Sequence, residues 1–428
     1  MRSVIVPAAM LVLLFGGTAQ AGSLRVIHDF CAQALCTDGD APNGNLVIDP
    51  QGNVYGTAEG GGAPQHGLVY ELKRGHGKQF TFETLYTFCT EDGCPDGYQA
   101  EGVIRDTSGN LYGMTEGGGT SNDGTAYMLT PRHGGAWKYT KLKIFNGNDG
   151  DLPIGTFGYA GSESGLPYDG TSPLYGTTVS GGTSPTGGTV FTITPDGGHW
   201  TFQTIFNFTA QGDANEDPAG TPVLDASGNL FGTTLVNGNL GEVYELSPDG
   251  GGGWNEHIVY TFCGGCNDNT AGAGELAMDA SGSLIGITSY FGPYCSGHGL
   301  HTVRCGGGVF KLAPDGANWD YTALYDFCAK SKKCSDGSED MIFPPAPVID
   351  AFGNIYGTTR RGGKYGSGVL FRIGTDGSYE VVHNFCAQAG CADGKTPDHL
   401  VMAADGSLYG NTVEGGASNG GTVFEFTP

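Results

Sequence analysis

The sequence predicts an all-β protein: a seven-bladed β-propeller with four strands per blade, its ring closed by an N-terminal strand that completes the last blade. Three observations predict it. One phrase recurs seven times, at a period too long for one coil of a β-helix. Each period carries four strand-like pieces separated by turn chemistry. The strand count at the two ends is offset by one.

The phrase reads Asn53-Val-Tyr-Gly-Thr57, Asn110-Leu-Tyr-Gly-Met114, Pro173-Leu-Tyr-Gly-Thr177, Asn229-Leu-Phe-Gly-Thr233, Ser283-Leu-Ile-Gly-Ile287, Asn354-Ile-Tyr-Gly-Thr358 and Ser407-Leu-Tyr-Gly-Asn411. The steps between the central residues are 57, 63, 56, 54, 71 and 53, with a mean of 59, which fits a four-stranded blade with generous loops.

Within a period, strand A is an apolar run ending in Asp, such as Leu46-Val-Ile-Asp49 or Val348-Ile-Asp350. A tight turn follows, as in Asp49-Pro-Gln-Gly-Asn53. There the Asp side chain can bond the backbone two residues on, and Gly supplies a positive φ. Strand B is the recurring phrase, and a Gly-rich loop such as Glu116-Gly-Gly-Gly119 comes after it. Strand C alternates, as in Thr189-Val-Phe-Thr-Ile193. A Pro-Asp-Gly turn such as Pro195-Asp-Gly197 leads into the aromatic-rich strand D, exemplified by Phe82-Glu-Thr-Leu-Tyr-Thr-Phe88. The third repeat departs from this order: Gly155 to Pro173 reads as an irregular insertion replacing the usual A strand and turn.

The ends supply the closure. A lone D strand, Leu24 to Phe30, comes first, and the last strand, Thr422 to Phe426, is of type C with no D strand behind it. The first strand therefore completes the last blade, which removes the exposed edge of an open array. This order puts the B–C and D–A loops on one face of the disk and the short A–B and C–D turns on the other. Variable loops on a rigid face are where binding is expected.

Composition agrees with a folded, exported protein. The 78 glycines serve turns, while 38% hydrophobic residues provide a core. Arg2, the apolar run Val4 to Phe15 and the small-residue site Ala19-Gln20-Ala21 read as a signal peptide over residues 1–21, leaving a propeller over 22–428. No later stretch is long and apolar enough for a membrane helix. The net charge is −24, with no basic cluster longer than Lys332-Lys333 or Arg360-Arg361, which argues against nucleic acid or an anionic membrane as partner.

Twelve cysteines form six close pairs: Cys31/Cys36, Cys89/Cys94, Cys263/Cys266, Cys295/Cys305, Cys328/Cys334 and Cys386/Cys391. Such pairs behind a signal peptide read as disulfides in an oxidising compartment. Zinc at Cys263-Gly-Gly-Cys266 would need two further ligands, and no second CxxC or His pair accompanies it. A secreted or periplasmic monomer is expected, with an extracellular glycan or protein as partner.

Three groups are site candidates. The D–A loops carry a recurrent acid: Asp38, Asp96, Asp149, Asp213, Asp268, Asp336 and Asp393. One per blade could ring an opening or hold Ca²⁺, a hard cation that takes oxygen ligands. No D-x-[DN]-x-[DN]-G loop supports calcium, and Asp-Gly also simply makes a turn, so no cofactor is expected. Glu59, Glu116 and Glu414 begin equivalent B–C loops, where paired carboxylates could do acid–base work on a glycoside. Duplication of the repeat explains them as well, and no catalytic residue is assigned.

The best local candidate is the long B–C loop of blade five, Ser289 to Gly308. It carries Tyr290, Phe291, Tyr294, His298, His301 and Arg304 beside Cys295 and Cys305. Aromatics with a cation on a stapled loop could stack on a sugar or clamp an anion. Tyr290, Tyr294, His298, His301 and Arg304 are taken as the ligand-binding candidates. No nucleophile elbow or phosphate loop is present.

The phrases Leu174-Tyr-Gly-Thr-Thr178, Gly181-Gly182 and Gly188-Thr-Val-Phe191 resemble the repeat of the bacterial choice-of-anchor tandem-repeat GloVer-containing proteins. The likeness runs over essentially the whole chain after residue 21. It implies export and carries over no catalytic residue. Members often bear a C-terminal surface anchor, and Phe424-Glu-Phe-Thr-Pro428 reads instead as a strand end. The expectation is a secreted binding or scaffold module, with carbohydrate the first choice of ligand. The alternatives are a polysaccharide lyase or glycoside hydrolase on the same scaffold, and a purely structural surface protein.

Overall fold

Seven antiparallel sheets form the expected seven-bladed propeller of four-stranded blades, seen in a computed structural model, the A strand of blade 2 being split into Tyr98–Ala100 and Ile104–Arg105. It describes residues 22–428 except 78, 185, 210–215, 237–240, 263–270, 290–305, 317, 332 and 341–342. Among the described residues there is no α-helix. Blade 1 shows the pattern: A is Asp40–Ile48, B is Val54–Gly60, C is Leu68–Arg74 and D is Phe80–Thr87. The last blade takes A, B and C from Lys395–Met402, Leu408–Glu414 and Thr422–Thr427. Its fourth strand is Ser23–Asp29, paired from Ser23↔Thr427 to Asp29↔Thr422, so the ring closes as the offset predicts.

The A–B turns form for the anticipated reason. Asp49 Oδ1 accepts the backbone N–H groups of Gln51 and Asn53, each at 2.9 Å, and Asp49 Oδ2 accepts the Asn53 amide. Asp106, Asp225 and Asp350 do the same for their turns.

The glycine of the recurring phrase has a packing role. Its cross-strand partner on strand C is an aromatic in every blade, beginning with Gly56↔Tyr70 and Gly113↔Tyr127. A Cβ on Gly113 would sit 2.4 Å from the Tyr127 hydroxyl oxygen, so the ring needs a bare backbone beneath it. That same ring receives the Phe ending strand D of the preceding blade. The seven pairs are Phe30–Tyr70, Phe88–Tyr127, Phe145–Phe191, Phe208–Tyr244, Phe262–Phe310, Phe327–Phe371 and Phe385–Phe424. Their centroids lie 5.1–5.4 Å apart at steep interplanar angles. All seven phenylalanines are at most 2% exposed. Each edge-on pair adds about 0.5–1.5 kcal/mol beyond the area it buries.

Two expectations are corrected. The third repeat keeps its A strand, Asp151–Gly158, which pairs with Leu174–Ser180. The insertion lies in the A–B connection, where Tyr168 is fully buried between Tyr112 and Tyr159. Strand A also starts earlier than its apolar run, at Asp40 rather than Leu46 in blade 1. The early half was hidden because a bulge between Asn43 and Val47 breaks the alternation.

Candidate functional site

The bulged halves of the A strands converge at the axis, and there the channel narrows. A Cβ on Gly44 would lie 2.4 Å from the Gly102 nitrogen of the next blade, and both glycines have positive φ. Only glycine tolerates that combination. The last residue of the recurring phrase latches neighbouring blades together at the same level. Thr177 donates to Gly220 O at 2.7 Å, Thr233 to Gly274 O at 2.9 Å and Thr358 to Asp398 O at 2.6 Å. In the last blade Asn411 takes this part, its amide donating to Gly44 O.

A belt of side chains crosses this neck. Asn45 donates to Thr156 Oγ1 at 3.2 Å, Thr156 and Thr221 share a hydroxyl contact of 3.1 Å, and Thr221 donates to Glu275 Oε1 at 2.8 Å. His399 faces Glu275 Oε2 at 3.3 Å through Nε2 and Asp398 Oδ2 at 2.8 Å through Nδ1. The Gly44 N–H reaches the same Asp398 oxygen at 3.4 Å and completes the circuit. Burial opposes charge on His399, but Asp398 and Glu275 outweigh it and raise its pKa to about 10. Burial likewise works against ionised Asp398, yet the charge of His399 prevails and holds it near 2. His399 is therefore a cation between two anions at neutral pH.

The belt spans from blade 5 to blade 7 because blade 6 withdraws. Its A strand is only Val348–Ile349, preceded by Pro344, Pro345 and Pro347, which have no N–H to give a ladder. The carbonyl of Pro344 still accepts the Glu275 N–H at 2.9 Å.

On the loop-bearing side of the neck stand three half-buried carboxylates, Glu59, Glu101 and Glu116, with ligating oxygens all within 4.8 Å of one another. Glu59 and Glu116 end the B strands of blades 1 and 2, and Glu101 lies in the bulge of blade 2. Asn43 donates its amide to Glu59 Oε1 at 2.8 Å, and the Gly155 N–H donates to Glu101 Oε2 at 2.6 Å. Burial, a hydrogen bond with Glu116 and that residue's charge raise the Glu101 pKa well above the usual carboxylate range. Burial and the Glu116 charge also raise Glu59.

Register corrects the reading of the third glutamate. Glu59 and Glu116 lie four residues beyond the phrase tyrosine, whereas Glu414 lies five beyond Tyr409. That slip of one turns its side chain to the other face of the strand. Glu414 pairs outward with Lys395 at 2.8 Å. The residue that does share the register is Arg360, four beyond Tyr356, whose guanidinium lies 3.8 Å from Asp398 Oδ1. The mouth is therefore acidic on blades 1 and 2 and carries a cation on blade 6.

The recurrent loop aspartates act within their own loops. Asp38 accepts the Ala32 and Gln33 N–H groups, and Asp393 accepts those of Ala387 and Gln388. Asp96 and Asp336 take the Cys89 and Lys330 N–H groups, and Asp149 that of Asn146. Asp213 and Asp268 lie outside the described residues. So do Tyr290, Tyr294, His298, His301 and Arg304, together with the Cys263/Cys266 and Cys295/Cys305 pairs. The other four cysteine pairs are disulfides: Cys31–Cys36, Cys89–Cys94, Cys328–Cys334 and Cys386–Cys391. All eight of these cysteines have positive φ, a conformation the cross-link and the adjacent Asp hold in place. Glu101, Glu275, Asp398 and His399 were missed by sequence reading, because they fall where the A strands appeared to be loops.

The sequence model of the Gloeobacter/Verrucomicrobia repeat matches residues 13–173, 96–300 and 301–428. No curated protein matches. Among solved structures, the chain is similar to the extracellular domain of BT4673 from B. thetaiotaomicron, a protein described as a one-component system. The TM-score is 0.52 at 11% identity, over 95% of this chain and 41% of that one. It is also similar to the gluconolactonase XC5397 of Xanthomonas campestris, with TM-score 0.39 and 12% identity over 76% and 85% of the two chains. For the NanB sialidase of Streptococcus pneumoniae the values are 0.41 and 12%, over 92% and 69%. Identities this low speak to the propeller fold alone.

Proposed function

The chain belongs to the Gloeobacter/Verrucomicrobia repeat family, and from that premise we propose that it is an exported propeller binding an extracellular ligand at the mouth of its axial channel. The observation that carries this reading is the convergence of Asn43, Glu59, Glu101 and Glu116 above the neck, on the face that bears the long loops. Clustered carboxylate and amide oxygens accept hydroxyl protons, which suits a polyhydroxylated ligand, and a neutral glycan is the first choice. Tyr290, Tyr294, His298, His301 and Arg304, the candidates read from the sequence, would supply stacking and a cation. Export rests on residues 1–21 and on the disulfides.

A hydrolase or lyase is the second reading, favoured by Glu101, which burial and Glu116 keep inclined to hold a proton. Two carboxyl groups working across a glycosidic bond stand about 5–9.5 Å apart. Here the oxygens of Glu59, Glu101 and Glu116 lie within 4.8 Å of one another, closer than that range. Binding is the better-supported function.

The test is a thermal-shift screen of the purified protein against oligosaccharides in EDTA. A ligand at a hundred times its dissociation constant should stabilise the fold by about 2.7 kcal/mol. The proposal expects one sugar class to act, and Asn43→Ala or Tyr294→Ala to abolish the shift. No response to any sugar, or a response that survives both substitutions, would overturn it.

A further inference from the structure

We infer that Glu59, Glu101 and Glu116, completed by the side-chain carbonyl of Asn43, bind a hard divalent cation of calcium's size. The site shares the channel mouth with the glycan reading and does not depend on it.

The donor set is all oxygen, which selects hard cations over zinc or copper. Donor number then selects within that class: three carboxylates with an amide carbonyl suit calcium, whereas magnesium keeps several waters and takes one or two carboxylates. The three glutamate oxygens lie within 4.8 Å of one another, close enough to meet on one ion.

A second observation points to the same place. Asn43 is only 8% exposed, and its Oδ1 is buried without a hydrogen-bond partner while its Nδ2 rests on Glu59. An amide oxygen that gains nothing from the fold is a standing cost. Rotation of the amide would turn that oxygen toward the carboxylates, where a cation would satisfy it. The ion would also offset three like charges in a half-buried space. Four protein oxygens leave positions open for water, since calcium takes six to eight.

The test uses the purified, EDTA-treated protein titrated with CaCl₂ by calorimetry. The expected result is one saturable site. Glu116→Gln and Asn43→Ala, checked for folding by circular dichroism, should each weaken binding at least tenfold. Asp393→Asn, in a D–A loop, should leave it unchanged. MgCl₂ should bind at least tenfold more weakly. Absence of saturable calcium binding would overturn the inference. So would undiminished binding by a folded Glu116→Gln variant, or magnesium binding as tight as calcium. A positive result stands whether or not any sugar shifts the melting temperature, so the two readings fail separately.

Discussion

Phe30 meets Tyr70 edge-on, ring centroids 5.2 Å apart, and this contact fastens the first strand of the chain, which belongs to the last blade, to blade 1. The chain runs on from that strand into blade 1, so the closure made without a covalent bond is the ladder between Ser23–Asp29 and Thr422–Thr427. Phe30 supports that ladder by the same Phe-on-aromatic packing used at the six other joints.

Phe30→Ala should therefore cost about 3–5 kcal/mol, the usual range for a buried Phe. It should also speed amide exchange at Leu24 to Asp29 before the rest of the molecule. Urea unfolding with hydrogen exchange reads both. A cost below about 1 kcal/mol with the first strand still protected would contradict this view of the closure.

The belt makes stability depend on pH in a defined window. His399 titrates near 10 in the folded state, against about 6.5 when unfolded, so its contribution is complete below about 6.5 and is lost as pH rises toward 10. Asp398, held near 2, contributes above about 4 and is lost as pH falls toward 2. The belt is thus strongest between about pH 4 and 6.5. His399→Ala leaves Asp398 and Glu275 buried without their cation and should cost about 3–5 kcal/mol. The gap in urea midpoint between wild type and variant should shrink from pH 6 to pH 10. A gap constant across that range would refute the assignment.

The carboxylate cluster acts in the opposite sense. The raised pKa of Glu101, due to burial and Glu116, means that ionising it strains the fold increasingly as pH climbs above the ordinary carboxylate range. Glu116→Gln should raise stability in EDTA at pH 7, because it removes a charge that opposes ionised Glu101. Melting temperatures at pH 5 and pH 8 check this, the benefit being larger at pH 8. A variant less stable than wild type at both values would show that Glu116 is structural.

The blades were legible because their cause repeats. Each Asp turn, each phrase glycine under a strand-C ring and each terminal Phe of strand D recurs in the sequence. The site was legible only in part, because it is made where the repeats differ. Asn43, Ile154 and Ala219 occupy one register position, opposite Thr57, Thr177 and Thr233, and nothing in that series announces Glu101. The axial bulge also interrupts period-two alternation, so the chemistry-bearing half of strand A looks like loop. Glu59 and Glu116 could be read from sequence. Their relation to Arg360, and the exclusion of Glu414, required the strand register.

The belt has one more consequence. It ties Asn45 to Thr156 across an intervening blade, and Glu275 to His399 across another. Contacts over a skipped blade make the position of each blade depend on blades that are not its neighbours. Loosening one of them is then felt around the whole ring rather than at a single seam.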